Sequence, residues 1–351
     1  MTIHFFVGKG PSSPTARLRG YLVVEQLRKS GMSIIMHDPP MQRASLAFDT
    51  LRYREFAKHF SLLRGIGKNE PIYLVRTVFQ LDFVLLIIFF RIFLRRKVIF
   101  DFDDAIYVKD FCHYRSRWLT RFSSAVVVGN EHLRKWAMIR NPRVYIIPTA
   151  IPFDVYKQYA RSALPASSPL VIGWSGHAIN HVKNLRLLVP VFRELLLKQI
   201  SFKFILIGGM EYEPMQELFA DLKGLDITII DSIEWTDPKN IARLIQTFDI
   251  GVMPLVKDPN TEGKCALKAI EYMACAVPAI VSPVGANISL VENEIDGWHA
   301  ETTKDWVSVI THIVNNPTSL SEIGIKAQKK VERYYTYDAI IPKMKQIIES
   351  V

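Results

Sequence analysis

Four groups of side chains in this sequence are of types and spacings that can do chemistry. The first is Lys264, Lys268 and Glu271, within DIGVMPLVKDPNTEGKCALKAIEYMACAVPAIVS at residues 249–282. Asp249–Leu255 is an apolar run that reads as a strand. A polar loop follows over 256–263, carrying Pro259 and Gly263. Leu267, Ile270, Met273 and Ala274 recur at helical spacing, predicting a helix over Lys264–Cys275 before Pro278 and a buried strand at Ala279–Val281. A helix that opens after a glycine, with Lys264 and Lys268 in its first turns, offers free N–H groups and positive charge to an anion. Glu271 lies seven residues after Lys264, so both can face one cleft.

The second group is Asp101, Asp103 and Asp104, at the end of a strand over Lys97–Asp101. Carboxylates packed this closely repel, and such a cluster points to use rather than to packing. Oxygen ligands for a cation, a carboxylate that orients a reacting hydroxyl and a helix cap with solvated neighbours all fit the spacing. The third group follows a strand at Val171–Trp174: the turn Ser175-Gly176-His177, then Lys183-Asn184 opening a helix to about Lys198. The fourth is Gly8-Lys9-Gly10 after a strand at Ile3–Val7, leading into a helix over Thr15–Ser30 with Arg17 and Arg19 in its first turn. A strand, a glycine turn and a helix form a phosphate-type cradle, here with guanidinium donors beside it. His177 and His181 read as a surface loop pair, and no other His or Cys stands at metal-ligand spacing.

The elements that must position these groups alternate strand and helix throughout. Further strands are expected at Met32–His37, Ile72–Arg76, Ala125–Val128, Val144–Ile147, Phe202–Ile207 and Asp226–Ile230. Helices are expected over 42–64 (basic), Val78–Leu94 (apolar nearly all round, hence buried or half-buried at a membrane interface), Glu211–Leu222, Pro238–Thr247, 304–315 and 317–334. Residues 157–169 are small, polar and proline-bearing, a linker composition. This pattern predicts an α/β chain of two domains: 1–156, then 170–334 after the linker, with 335–351 an amphipathic final helix.

Composition narrows the class. With 351 residues, 49% of them hydrophobic, both domains have a full core. Residues 1–155 hold 24 Lys and Arg against 12 Asp and Glu, a net of +12, so the excess positive charge of the whole chain (+10) lies in the first half. An anionic partner such as a membrane surface or a phosphorylated acceptor would suit it. No nucleic-acid motif or aromatic–basic interleaving is present. Three cysteines (Cys112, Cys265, Cys275) do not make a disulfide framework and read as free thiols of a reducing compartment. The start lacks a signal-peptide layout, and Phe83–Phe90 is too short to span a bilayer, so a cytoplasmic protein is expected, peripheral at the inner face of a membrane at most.

Glu271 with Tyr272, Met273, Ala274 and Pro278, together with Lys183-Asn184 after the Gly176 turn, resembles the family-4-type retaining glycosyltransferases (glycosyltransferase group 1) of the GT-B fold. The Asp-rich turn after the fourth strand is similar to that of a bacterial subgroup. The resemblance implies two Rossmann-like domains facing a central cleft, with a first domain for the acceptor and a second for a nucleotide-sugar donor. It implies that Lys183 neutralises the donor's diphosphate with Lys264 or Lys268, and that Glu271 accepts hydrogen bonds from ribose hydroxyls. Backbone N–H groups around Lys264, Ala266 and Leu267 would hold phosphate or sugar oxygens, and the base would be read near Ile233. Gly8, Gly10, Gly176 and Asn184 complete the expected donor contacts. Asp103 or Asp104 takes the place where other members carry a His, both being candidate catalytic residues, and Arg17, Arg19 and Asp101 are expected on the acceptor side. Gly263 stands where the family's first Glu falls, with Glu262 one residue off register. The expected reaction is metal-independent transfer, without a cofactor, to a glycan or lipid-linked acceptor of cell-surface polysaccharide or lipopolysaccharide synthesis. The alternatives are a non-catalytic scaffold of the same fold and a nucleotide-sugar epimerase.

Overall fold

The computed structural model describes residues 1–8, 10–37, 53–76, 80–108, 113–161 and 169–351. Lys9, Cys112, the expected helix over 42–52, the first two residues of the one expected from Val78 and linker positions 162–168 lie outside the described residues. Two units are present. One comprises Met1–Ala150, Glu262–Cys265 and Tyr337–Val351; the other comprises Ile151–Thr261 and Ala266–Thr336. The division therefore falls at Ala150–Ile151 rather than after residue 156. Its cause is that Ile151, Phe153 and Tyr156 are buried in the core of the second unit. Ile151 also bridges Thr336 in parallel, so the first and last residues of the second unit lie side by side.

In the first unit the described strands are β1 (Thr2–Val7), β2 (Ser33–His37), β3 (Ile72–Val75), β4 (Val98–Phe102), β5 (Ala125–Val128) and β6 (Val144–Ile146). They form one parallel sheet in the order β2-β1-β3-β4-β5-β6. Strands such as IYLV and AVVV are apolar at every position because helices cover both faces. Successive side chains then enter opposite cores. Phe5 belongs to one core with Val23, Leu27 and Ile340, while Phe6 belongs to the other with Phe83, Leu63 and Phe90. Ile340 belongs to the final helix, Tyr337–Glu349, whose Tyr337 hydroxyl donates to the Leu18 carbonyl at 3.1 Å.

The helix expected over Thr15–Ser30 is continuous from Ala16 to Lys29, but Ala16–Tyr21 is π-helical and α geometry begins at Leu22. Arg19 is buried there. Its guanidinium lies 2.7 Å from Asp101 Oδ1 and donates to the Ile147 carbonyl at 2.9 Å, and the Tyr73 hydroxyl donates to the other Asp101 oxygen at 2.6 Å. Burial works against the charge on Arg19, but the carboxylates of Asp101 and Asp103 outweigh it and hold the group protonated. This corrects the expectation that Arg19 and Asp101 contact an acceptor: both are consumed inside the sheet–helix interface.

In the second unit β7 (Leu170–Ser175), β8 (Phe202–Ile207), β9 (Asp226–Ile230), β10 (Ile250–Met253), β11 (Ala279–Val281) and β12 (Gly297–His299) form a parallel sheet ordered β12-β11-β10-β7-β8-β9. This is the doubly wound order of dinucleotide-binding sheets. The helix expected from Lys183 to Lys198 is split into Val182–Leu185 and Leu188–Leu197, and that expected over Glu211–Leu222 shortens to Glu213–Glu217. Two parallel α/β sheets of this kind are the architecture expected from the sequence. Among the described residues no helix is long and apolar enough to cross a membrane.

Asp101→Ala leaves the buried Arg19 guanidinium without its paired carboxylate and should cost about 3–5 kcal/mol, measured as a lowered urea midpoint. Arg19→Met combined with Asp101→Leu should recover most of that loss. An unchanged midpoint for Asp101→Ala would mean that the pair does not hold this unit.

Candidate functional site

The order of the second sheet reverses between β7 and β10, and ligands of such sheets bind beyond the strand ends at the reversal. Two segments meet there: the turn after β7 and the helix Leu267–Ala274 after β10. Gly176 has φ +140°, and a Cβ on it would collide with the Cε of Lys268, so only glycine lets the lysine lie across the turn. The Lys268 ammonium sits 5.4 Å from the centroid of the buried Trp174 ring and 3.1 Å from His181 Nε2.

His181 is buried, contrary to the surface-loop reading. Asn184, also buried, accepts the Val256 N–H on Oδ1 at 2.9 Å, and its side-chain nitrogen lies 3.2 Å from His181 Nδ1. His181 Nε2 lies 3.1 Å from the Lys268 ammonium, so the imidazole is held between Asn184 and Lys268.

Tyr272 fixes the helix in this register. Its buried hydroxyl accepts from the Ser175 backbone N–H at 2.8 Å and from the Ser175 hydroxyl at 3.1 Å. Burial pushes its pKa up, keeping the phenol neutral. The preceding residue, Glu271, is half-buried and accepts a 2.8 Å hydrogen bond from the Tyr156 hydroxyl. Lys183 is exposed and pairs with Asp258 at 3.1 Å. Burial pushes the Asp258 carboxyl up, but the Thr261 backbone N–H and Lys183 outweigh it and hold it below the usual range. At the ends of β7 and β9, His177 stacks on Trp235, centroids 5.1 Å apart, and Ile233 packs half-buried on the core.

The helix starts at Leu267, not at Lys264, because Ala266 takes the left-handed conformation (φ +57°). Glu262–Cys265 belongs to the first unit. There the Asn130 side-chain amide donates to the carbonyls of Glu262 (3.3 Å) and Lys264 (3.0 Å), and Glu262 faces His132 at 3.8 Å. Lys264 is therefore not on the Glu271 helix, and the lysine on that helix is Lys268, three residues before Glu271. A Cβ on Gly263 would stand 2.6 Å from both the N and the Cβ of Ala105. The position of the missing Glu is closed to any side chain.

Within the first unit, the acidic turn gathers at the ends of β1, β3 and β4. Arg76 meets Asp104 at 2.6 Å and Asp103 at 3.8 Å and donates to the Thr15 hydroxyl. Asp104 Oδ1 also accepts the Ala105 N–H at 3.0 Å. Asp103 is buried; Oδ2 accepts from Thr15 at 3.3 Å, whereas Oδ1 accepts no hydrogen bond. Gly8 (buried) and Gly10 (exposed) are in this unit, and Arg17 donates to the Pro11 carbonyl at 3.1 Å, closing the turn. Among the described residues no three His, Cys, Asp or Glu side chains converge to hold a metal ion. Sequence reasoning missed Arg76, whose signal was a basic residue at a strand's carboxyl end, and Tyr156, which is 115 positions from Glu271 and carried no local signal.

The fold is GT-B. Anabaena Alr3699/HepE, solved with UDP and glucose, aligns with TM-score 0.68 and 14% identity over 99% of each chain. Sucrose-phosphate synthase from Thermosynechococcus elongatus aligns with TM-score 0.73 and 15% identity over 99% of this chain and 98% of that one. A glycosyltransferase from Rickettsia africae aligns with TM-score 0.66 and 15% identity over the same shares. Residues 169–316, the greater part of the second unit, match the family described as Glycosyl transferases group 1. No curated protein sequence matches the chain. The group 1 and GT-B resemblance read from the sequence is thus borne out.

Gly263→Glu should destabilise the protein by about 1–3 kcal/mol through overpacking against Ala105. A variant with an unchanged melting temperature would refute the packing account.

Proposed function

We propose that the protein is a retaining glycosyltransferase that takes a sugar from a nucleotide-diphosphate donor held by the second unit. The observation that carries this reading is the Lys268 ammonium, laid across the Gly176 turn at the sheet's reversal point. A diphosphate oxygen accepts from such an ammonium, with His181 beside it. The diphosphate is also where negative charge accumulates as the glycosidic bond breaks, so the same group stabilises it as it leaves. Lys183 adds exposed positive charge to that end of the unit. Glu271, oriented by Tyr156, accepts from donor hydroxyls. The His177–Trp235 stack offers an aromatic face beside the base. HepE was solved with UDP-glucose, which supports a uridine donor as the first to try.

On the acceptor side, Asp103 is the carboxylate of the acidic turn proposed to meet a sugar hydroxyl, because both oxygens of Asp101 and of Asp104 are already bonded. The proposed acceptor is a glycan or a lipid-linked saccharide of cell-surface polysaccharide synthesis. Charge on the diphosphate is balanced by Lys268 and Lys183 without a metal. The closed position at Gly263 favours one second reading, a non-catalytic scaffold of the same fold.

Thermal shift with UDP and a panel of nucleotide sugars decides between them. Ligand at about 100 times its Kd stabilises by about 2.7 kcal/mol, and Lys268→Ala and His181→Ala should each abolish most of the shift. Glu271→Ala should weaken the sugar-nucleotide shift while leaving the fold intact. A folded protein that responds to none of the panel supports the scaffold reading.

A further inference from the structure

The helix Leu81–Phe93 of the first unit is apolar nearly all round, yet only one side of it is used by the core. Phe83, Val84, Ile87 and Phe90 are buried on the sheet. Leu85, Phe89, Ile92 and Phe93 face outward, at i, i+4, i+7 and i+8, which is a single stripe along the helix. Phe93 is 70% exposed and Phe89 41% exposed, their rings 5.1 Å apart. The helices that flank this one, Tyr53–Gly65 and His113–Phe122, add exposed Phe56 and Trp118. A contiguous apolar face of this kind on a water-facing helix marks an interaction surface.

The charge around the stripe selects its occupant. Lys58 and Arg64 on one flanking helix, Arg117 and Arg121 on the other, and Arg95 just beyond the stripe are exposed. Among the described side chains of these three helices there is no exposed carboxylate; Asp82 is buried against His59 at 2.8 Å. Two copies of the face would set cations against cations, which opposes self-association. An exposed apolar stripe between helices that carry exposed cations is instead the pattern of a helix lying in the headgroup plane of an anionic bilayer. With 13 residues it is too short to span one.

We propose that this face docks the protein on an anionic lipid surface, with Leu85, Phe89, Ile92 and Phe93 entering the headgroup–acyl boundary and the flanking Lys and Arg meeting lipid phosphates. The proposal deepens the reading of a lipid-linked acceptor, but its test uses neither donor nor acceptor, so either can fail without the other. The whole protein is floated with vesicles of phosphatidylcholine alone and of phosphatidylcholine mixed with phosphatidylglycerol, at low and high salt. Wild type should float with the anionic vesicles and be released by salt. Phe89→Ser with Phe93→Ser should lower partitioning about tenfold or more, and Arg117→Glu with Arg121→Glu should remove the preference for phosphatidylglycerol. Both pairs are at exposed positions and should keep the wild-type melting curve, which is the control. Wild type that stays unbound to both vesicle types overturns the proposal, as does equal flotation of the serine variant. A wild-type dimer that the serine variant dissolves, with no flotation, assigns the face to a second copy and overturns it as well.

Discussion

The hydrogen bond from the Ser175 backbone N–H to the Tyr272 hydroxyl sets the geometry of the second unit's strand-end site. It ties the tip of a central strand to the middle of the helix that follows the neighbouring strand, and both groups are buried, so losing it would strand a polar atom out of water. Helical spacing does the rest. Lys268 is four residues before Tyr272 and so falls on the same face, over the Gly176 turn; Glu271, one residue before it, is rotated toward Tyr156. The lysine and the glutamate are thus placed by one buried phenol rather than by contacts of their own. Its partner Ser175 directly precedes the glycine that the lysine crosses.

The start of that helix is set by a different constraint. Residues 262–265 are held in the first unit, where Asn130 binds two of their carbonyls and the Cys265 thiol donates to the Asp103 carbonyl at 3.0 Å. Ala266 must then reverse the backbone in a single residue, and it does so at positive φ, which is unfavourable for a residue with a Cβ. The helix that follows has no side-chain cap, so its first N–H groups carry the positive end of its dipole without local compensation. The short excursion therefore decides which lysine rides on the helix and which stays behind.

Much of this was legible in the sequence. The alternation of apolar strands with amphipathic helices gave two parallel sheets, and Lys268 and Glu271 were expected on one helix, which they share. Failures occurred where a contact over long sequence distance overrides a local pattern. The apolar period from Lys264 onward looks helical, but the closeness of Gly263 to Ala105 breaks it. Asp101 and Arg19 look like a site because charge is rarely buried, yet they are 82 positions apart and neutralise each other. His181 looks exposed in a polar loop and is instead locked between Asn184 and Lys268. None of these pairings has a periodicity, so none leaves a trace in one sequence.

The strand-end clusters of the two units are electrically opposite. In the first unit three carboxylates gather at the ends of β1, β3 and β4 against two guanidiniums, and one buried oxygen, Asp103 Oδ1, accepts no hydrogen bond. In the second unit a lysine ammonium lies across the glycine turn beside a buried histidine. A buried acceptor without a donor is costly, whereas an ammonium held at a strand end favours a group of opposite charge. The polarity of each cluster is thus set by side chains of its own unit.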